Sequence, residues 1–499
     1  MSSARVLRNA RVVGSDHGDA VDITINDGRI EAVFPAGEPA PDADAGAEVT
    51  DLDGRWVAPG LWDNHIHMNQ WALATHRLDV SSAMSAREAA GLVAEALRSS
   101  PPALDHDGRP LTFVANGFRD GVWPDAPNLE DLDAASPNIP IVLVSFDLHA
   151  VWLNSPALER YGLAGHPSGL LREDPAFEIE RRVNEVPDAV LDAWVSEAAA
   201  AAAARGVVGV VDLEMSWTMD AWLRRQGAGV DALRVEFGIY TQDIDRAIGM
   251  GLRTGQRVGD LLTVGRHKIL TDGSLGTRTA YCFDPYPGVP ADQHPHGLLT
   301  VPPEELLPLL GRSADAGILA TVHAIGDHAN SHVLDVFEQL GVRGGRVEHA
   351  QLLAQADIAR FGRLGIEASV QPEHAMDDRD IAERHWHGRT ERAFMLRSLL
   401  DAGATLLLGS DAPVAPLDPW VTMSAAVSRS RDGRLPWHPE QAISSSEALA
   451  SSVRSSVSSG EPADLAVTDE NPLQVEAVSL RTMDVAATML DGRWTFLDL

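Results

Sequence analysis

From about residue 186 to residue 410 the chain alternates short apolar runs with helix-period segments. Gly206-Val207-Val208-Gly209-Val210-Val211-Asp212 is one continuous apolar strand, and further strands are expected at 233–240, 267–270, 318–323, 346–349, 366–370 and 405–408. Helices are expected at 188–205, 303–316, 328–340, 355–364 and 391–402. The first of these carries the alanine run 198–204, the residue with the highest intrinsic helix propensity. With the strand that leads into His65 the strand count is eight. Strands that are apolar throughout belong to a parallel sheet covered on both faces. Eight of them with helices between is an α/β fold, a (β/α)8 TIM barrel.

The two ends of the chain read differently. Val21-Asp22-Ile23-Thr24-Ile25 alternates cleanly, Asn26-Asp27-Gly28 is a hairpin turn, and 29–33 is its partner strand. A Pro/Ala/Asp-rich stretch, 35–47, reads as a surface loop. Near the C-terminus, 463–468, 485–490 and 493–496 are strand-like, with Asp491-Gly492 as a closing turn. Residues 1–57 and 455–499 are therefore expected to form one small β-sandwich, with the barrel spanning 58–454. Within the barrel, 72–185 breaks the rhythm with a helix at 86–99, many prolines and many aromatics. It is expected to be a large insertion after the first strand that lies over the barrel mouth as a lid.

At 499 residues the chain is long enough for a barrel with an appendage. Its 40 basic and 72 acidic residues give a formal charge of −32, which repels phosphate backbones and makes nucleic acid an unsuitable partner. The lone cysteine, Cys282, has no intramolecular disulfide partner and fits a reducing compartment. The opening residues lack the apolar stretch of a signal peptide. No run approaches the ~18 apolar residues of a membrane span. The expectation is a soluble cytoplasmic protein with a small-molecule substrate and no membrane partner.

Catalytic groups of such a barrel sit at the C-terminal ends of its strands. The first strand ends in His65-Ile66-His67. Alternation puts both imidazoles on one face, where they can share a divalent zinc, iron or nickel ion. Alone, the pair fits a surface strand equally well. The fourth strand, however, carries Lys268, followed by Thr271-Asp272-Gly273-Ser274; the fifth ends in His323, the sixth in His349, and the eighth runs into Ser410-Asp411-Ala412-Pro413. Four histidines and an aspartate thus fall on one rim.

With these motifs the sequence resembles the amidohydrolase superfamily of metal-dependent hydrolases, in the amidohydrolase 3 branch that includes N-substituted formamide deformylase. The resemblance rests on Pro59-Gly60 before His65-Ile66-His67, on 149–155, and on Lys268 with Asp272-Gly273-Ser274-Leu275-Gly276. His323-Ala324-Ile325-Gly326-Asp327, Glu348-His349-Ala350-Gln351, Gln371-Pro372 and Ser410-Asp411-Ala412-Pro413-Val414 complete it. It implies His65, His67, His323 and His349 as ligands of one or two Zn2+ ions or other divalent cations, with Asp411 as both ligand and general base. Lys268 matches a position where related enzymes carry a carboxylated lysine between two metals. An ammonium would repel a dication, whereas a carbamate adds an oxygen ligand and a negative charge; an ordinary lysine paired to a carboxylate is the alternative.

The implied reaction is hydrolysis of a non-peptide carbon–nitrogen bond, as in an N-acyl or N-formyl amide. Metal-bound water has a pKa near ~7, and Asp411 would take its proton and pass it to the departing nitrogen. The resemblance also admits a deaminase or an isomerase on the same metal site. A non-catalytic barrel would be marked by loss of Asp411 or of a histidine, and none is missing. Relatives often dimerise, so a homodimer is open. By the same resemblance His149 and Trp152 are expected to line the pocket. Arg278 is expected either to meet an anionic substrate group or to form a surface salt bridge. Trp62, Trp123, His374 and Trp386 are candidates for an aromatic wall, with the core as the alternative. His385 and His387 are expected to be solvated, Asp272 to orient Lys268 or form a turn, and Asp327 and His328 to cap a helix.

Overall fold

Eight parallel strands organise the chain: β1 (Leu61–Ile66), β2 (Val207–Asp212), β3 (Arg234–Tyr240), β4 (Leu262–Leu270), β5 (Ala320–Ala324), β6 (Arg346–His349), β7 (Glu367–Val370) and β8 (Thr405–Leu408). The computed structural model describes residues 4–15, 19–38, 46–104, 107–341 and 344–499. Each strand pairs in parallel with its neighbour in sequence, from β1 through to β8. The seam between β8 and β1 closes just beyond the strand ends. There the Asp411 amide donates to the His65 carbonyl at 2.7 Å and the His67 amide to the Ala412 carbonyl at 2.8 Å. Gly409 makes this approach possible, because a Cβ at that position would lie 2.8 Å from the His65 nitrogen.

All six residues of β2 are buried, as expected of strands covered on both faces. On the outer face, Val322, Val347, Ala368 and Leu406 of the sheet pack with Leu306, Leu310, Val333 and Phe337 of the helices Pro303–Asp315 and Asp327–Leu340. The helix expected at 391–402 is divided into a turn at Thr390–Arg392 and a helix at Leu396–Asp401. Phe394 between them adopts φ +52°, and its amide donates to the Gln351 carbonyl at 2.7 Å. That hydrogen bond ties the segment to the loop after β6, against its helical propensity.

The two ends of the chain do build one sheet. Trp56–Pro59 pairs antiparallel with Leu465–Thr468, joining the N-terminal strands to Val485–Leu490 and Arg493–Leu497. Leu7, Ile23, Val57, Leu465 and Met489 from both halves share one apolar core. Of the 35–47 stretch, residues 39–45 lie outside the described residues.

The insertion is a folded α/β unit of its own rather than a long loop. Five strands run in the order Leu170–Arg172, Ala150–Leu153, Ile141–Ser145, Phe113–Phe118, Leu78–Asp79, with separate apolar clusters on either side. Trp152 and Trp123 belong to one of these clusters and not to a substrate wall. Trp152 is fully buried and its indole N–H donates to the Asn128 carbonyl at 3.0 Å; that of Trp123 donates to the Ala83 carbonyl at 2.9 Å. Both rings pack on Phe118. Trp62 lies at the opposite end of β1 from His65, clustered with Val208 and Leu490 beneath the Arg454 guanidinium. Trp386 is core beside Tyr286 and Trp437. Among the described residues no helix is long and apolar enough to cross a membrane.

Removing a fully buried indole costs about 3–5 kcal/mol. Trp152→Ala should therefore lower the midpoint of urea unfolding and open 72–185 to limited proteolysis. An unchanged midpoint would show that Trp152 is not a core residue.

Candidate metal centre

His65 is the penultimate residue of β1 and His67 follows the strand, so alternation sends both rings to the same side, with centroids 5.6 Å apart. His349 ends β6 and stands 5.0 Å from the His65 ring. His323, from β5, is 4.5 Å from the His349 ring. His374 enters from the first turn of the helix Pro372–His385 after β7, 6.1 Å from His349. Asp411 follows β8. One Asp411 oxygen lies 3.4 Å from His65 Nε2 and 3.3 Å from His67 Nε2, and the other lies 3.8 Å from His374 Nε2.

Among the described residues two donor sets result, each with its ligand atoms within 4.8 Å of one another: His65, His67 and Asp411, and His349, His374 and Asp411. Asp411 is common to both. His323 lines the same cavity, but its Nε2 faces the Gly273 carbonyl and an Asp272 oxygen, both at 3.4 Å. His374, expected as part of an aromatic wall, thus sits in ligand position. His67 Nδ1, His349 Nδ1 and His374 Nε2 are buried without a hydrogen-bond partner among the described residues. Imidazoles and a carboxylate left in this way suit a transition-metal ion, and the residues fit one.

The chain is bent to present these groups. His349, Ala350 and Asp411 adopt φ of +73°, +42° and +59°, a region costing on the order of 1–3 kcal/mol for each non-glycine residue. Main-chain hydrogen bonds across the seam hold Asp411 there, and the Ser410 amide donates to Asp63 Oδ1 at 2.9 Å.

Behind the centre, Glu348 accepts from His65 Nδ1 at 2.7 Å and from the Thr321 hydroxyl. This places the His65 proton on Nδ1 and turns the Nε2 lone pair toward Asp411. Burial alone would raise Glu348, but the adjacent His65 holds it well below the usual carboxylate range. Asp411 behaves alike: burial opposes its charge, yet His65 and His67 keep it strongly acidic. Burial depresses His349 and His323 far below an ordinary histidine. Lys268 on β4 is buried, its pKa lowered by desolvation, and its amine has no hydrogen-bond or ion-pair partner among the described residues.

The remaining candidates separate. His149 reaches the cavity from the insertion, its Nδ1 2.9 Å from Glu173, which also accepts from the Thr277 and Thr279 hydroxyls. Burial opposes its charge, but Glu173 lifts it to about 9, while burial of Glu173 is outweighed by His149 and that carboxyl falls to about 2. Arg278 is exposed beside Gln293 and His294 in a surface cleft and does not line the metal cavity. Asp272 neither orients Lys268 nor forms a simple turn; it accepts the amides of Tyr281, Ile325 and Gly326 and ties the loops after β4 and β5 together. Asp327 does not cap its helix, since its oxygens take the Phe283 amide and Arg392. His328 stacks against Tyr281 and Phe283. His385 is half-buried against Tyr286, and only His387 is exposed.

A family profile described as the amidohydrolase family matches residues 48–496. The chain belongs to that family. As an amidohydrolase it is a metal-dependent hydrolase. It is 26% identical to N-substituted formamide deformylase of Arthrobacter pascens over 543 aligned positions, covering 97% of this chain and 96% of that protein. It is 29% identical to LONG AFTER FAR-RED 3 of Arabidopsis thaliana, covering 81% and 74%. A metal-dependent hydrolase of Pyrococcus horikoshii superposes with a TM-score of 0.77 at 25% identity, covering 95% and 99%.

The His149 shift predicts a pH dependence. A histidine at about 9 in the fold against an ordinary 6.5 contributes stability that is complete below pH 6.5 and lost as pH rises through 9. The gap in thermal melting between the wild-type amidohydrolase and His149→Gln should accordingly shrink across that interval. A gap that stays constant would show that Glu173 does not hold an imidazolium.

Proposed function

We propose that this amidohydrolase cleaves the carbon–nitrogen bond of a small N-acyl or N-formyl amide, with Asp411 as general base. The observation that carries the reading is the position of one ionised carboxylate between two sets of imidazoles. A divalent cation, zinc by preference, would be held by His65, His67 and Asp411, with His349 and His374 as the second set and His323 beside them. When bound it supplies an electrophile for the carbonyl and acidifies water. The amine of Lys268, buried without an acceptor, is the proposed site of carboxylation.

The residues of the chain perform the proton work. Asp411, kept ionised by His65 and His67, takes the proton of the attacking water and returns it to the departing nitrogen. Glu348 fixes the His65 ring through Nδ1, so that Nε2 keeps its direction while charge moves in front of it. His149 commits Nδ1 to Glu173, leaving its Nε2–H as a charged donor toward the oxygen on which negative charge develops. Phe146, Leu148 and Val414 border the same cavity and limit water. The formamide bond named for the Arthrobacter relative supports the amide class.

The test is a panel of N-formyl and N-acyl amines against aminopurines with metal-loaded enzyme. Release of free amine is expected, with Asp411→Asn slower by at least about 10²-fold. Ammonia from the aminopurines without amide hydrolysis would overturn the assignment in favour of a deaminase.

A further inference from the structure

The cavity at the metal centre does not end at the histidines. Gln70, Phe177, Glu180 and Met215 line it and also line a second cavity of about 410 Å3, so the two share a wall. The second chamber lies between the insertion helix Asp174–Val183 and the segments that follow β1 and β2. Its acidic side chains are Asp174, Glu178, Glu180 and Glu214. Arg181, the one basic residue along it among the described residues, is committed to Glu178 and Glu185 at 2.9 and 2.8 Å.

Glu180 distinguishes this chamber from an ordinary acidic patch. It is only 8% exposed, borders both cavities, and its carboxylate has no hydrogen-bond or ion-pair partner among the described residues. Of the neighbouring cations, Arg77 donates to the Val183 carbonyl at 3.0 Å and its charge offsets the burial of Glu180 only in part, while His149 pairs with Glu173. A buried carboxylate without a partner is costly, and its burial pushes Glu180 up to about 7. Glu214, by contrast, accepts the main-chain amides of Asn69 and Gln70 on Oε2 at 3.0 and 3.2 Å and the Gln70 side-chain amide on Oε1 at 3.2 Å. One free carboxylate beside the Phe177 ring makes a poor cage for a bare metal ion. It matches an alkylammonium or guanidinium, which a carboxylate and an aromatic face attract together.

We infer that this side chamber receives a cationic end of the substrate, with Glu180 and Phe177 as its recognition elements, so that the preferred substrate is an amide carrying a positive charge. The inference rests on the amide-hydrolase reading for where the scissile bond sits. The formal charge of −32 acts in the same direction, by drawing cations toward the surface.

Two measurements test it. The first is turnover of N-formyl-1,5-diaminopentane against the neutral N-formylhexylamine. The wild-type enzyme should favour the cation in kcat/KM by about 10- to 100-fold, the range of a charge-assisted hydrogen bond. Glu180→Gln should bring that ratio toward one, and Phe177→Leu should reduce it. A wild-type ratio near one, or a ratio unchanged in either folded variant, would overturn the inference. The second is calorimetric binding of pentylammonium, with pentan-1-ol as the neutral control. Binding of the cation alone, lost in Glu180→Gln, is expected. Should pentylammonium bind while neither formamide is turned over, the amide reading fails and the chamber stands. If pentylammonium does not bind, the chamber fails whatever the turnover.

Discussion

The contact between the ends of β1 and β8 is the constraint on which the site depends. Two main-chain hydrogen bonds cross it, from Asp411 to His65 and from His67 to Ala412. Gly409 packs where any side chain would strike His65. These are backbone interactions, so the carboxylate and the two imidazoles are brought together before side-chain freedom enters. The left-handed conformation of Asp411 is tolerated because amides on both sides of the seam hold it. A barrel that failed to close here would leave every other strand in place and still lose the centre.

Burial then determines protonation. Desolvation disfavours charge on each inward-facing group, and the groups that keep a charge do so through a named neighbour. Asp411 has His65 and His67, Glu348 has His65, and His149 has Glu173. At Lys268 and Glu180 burial outweighs the opposite charges nearby, Glu348 and Asp411 for the lysine and Arg77 for the glutamate, and each is shifted toward its neutral form. The first stands among the candidate ligands and the second at the entrance to the side chamber. Both are groups that a bound cation, or a covalent change of charge, would satisfy.

Much of this was legible in the sequence, for a physical reason. A strand buried on both faces must be apolar along its length, so 206–212, 318–323 and 405–408 stand out. Polar residues at their ends are then forced onto one rim. Residues that reach the site from helices or from the insertion leave no such trace. His374 and Glu180 lie on helices whose orientation no periodicity reveals, and Glu348 reads as a neighbour of His349 until β6 is seen to point it beneath His65. Trp152 and Trp123 illustrate the opposite error, because a core tryptophan and a pocket tryptophan share the same pattern. The insertion stood out by breaking the barrel's rhythm, but its own sheet did not: Phe113–Phe118 and Ile141–Ser145 pair with one another, a choice that depends on partners distant in sequence.

The most direct test is an anomalous difference map from a crystal grown with a divalent transition metal. A peak enclosed by His65 Nε2, His67 Nε2 and the Asp411 carboxylate is expected, with any second peak on the His349 and His374 side of the same carboxylate. A fully occupied metal elsewhere, with the seam between β1 and β8 empty, would contradict it.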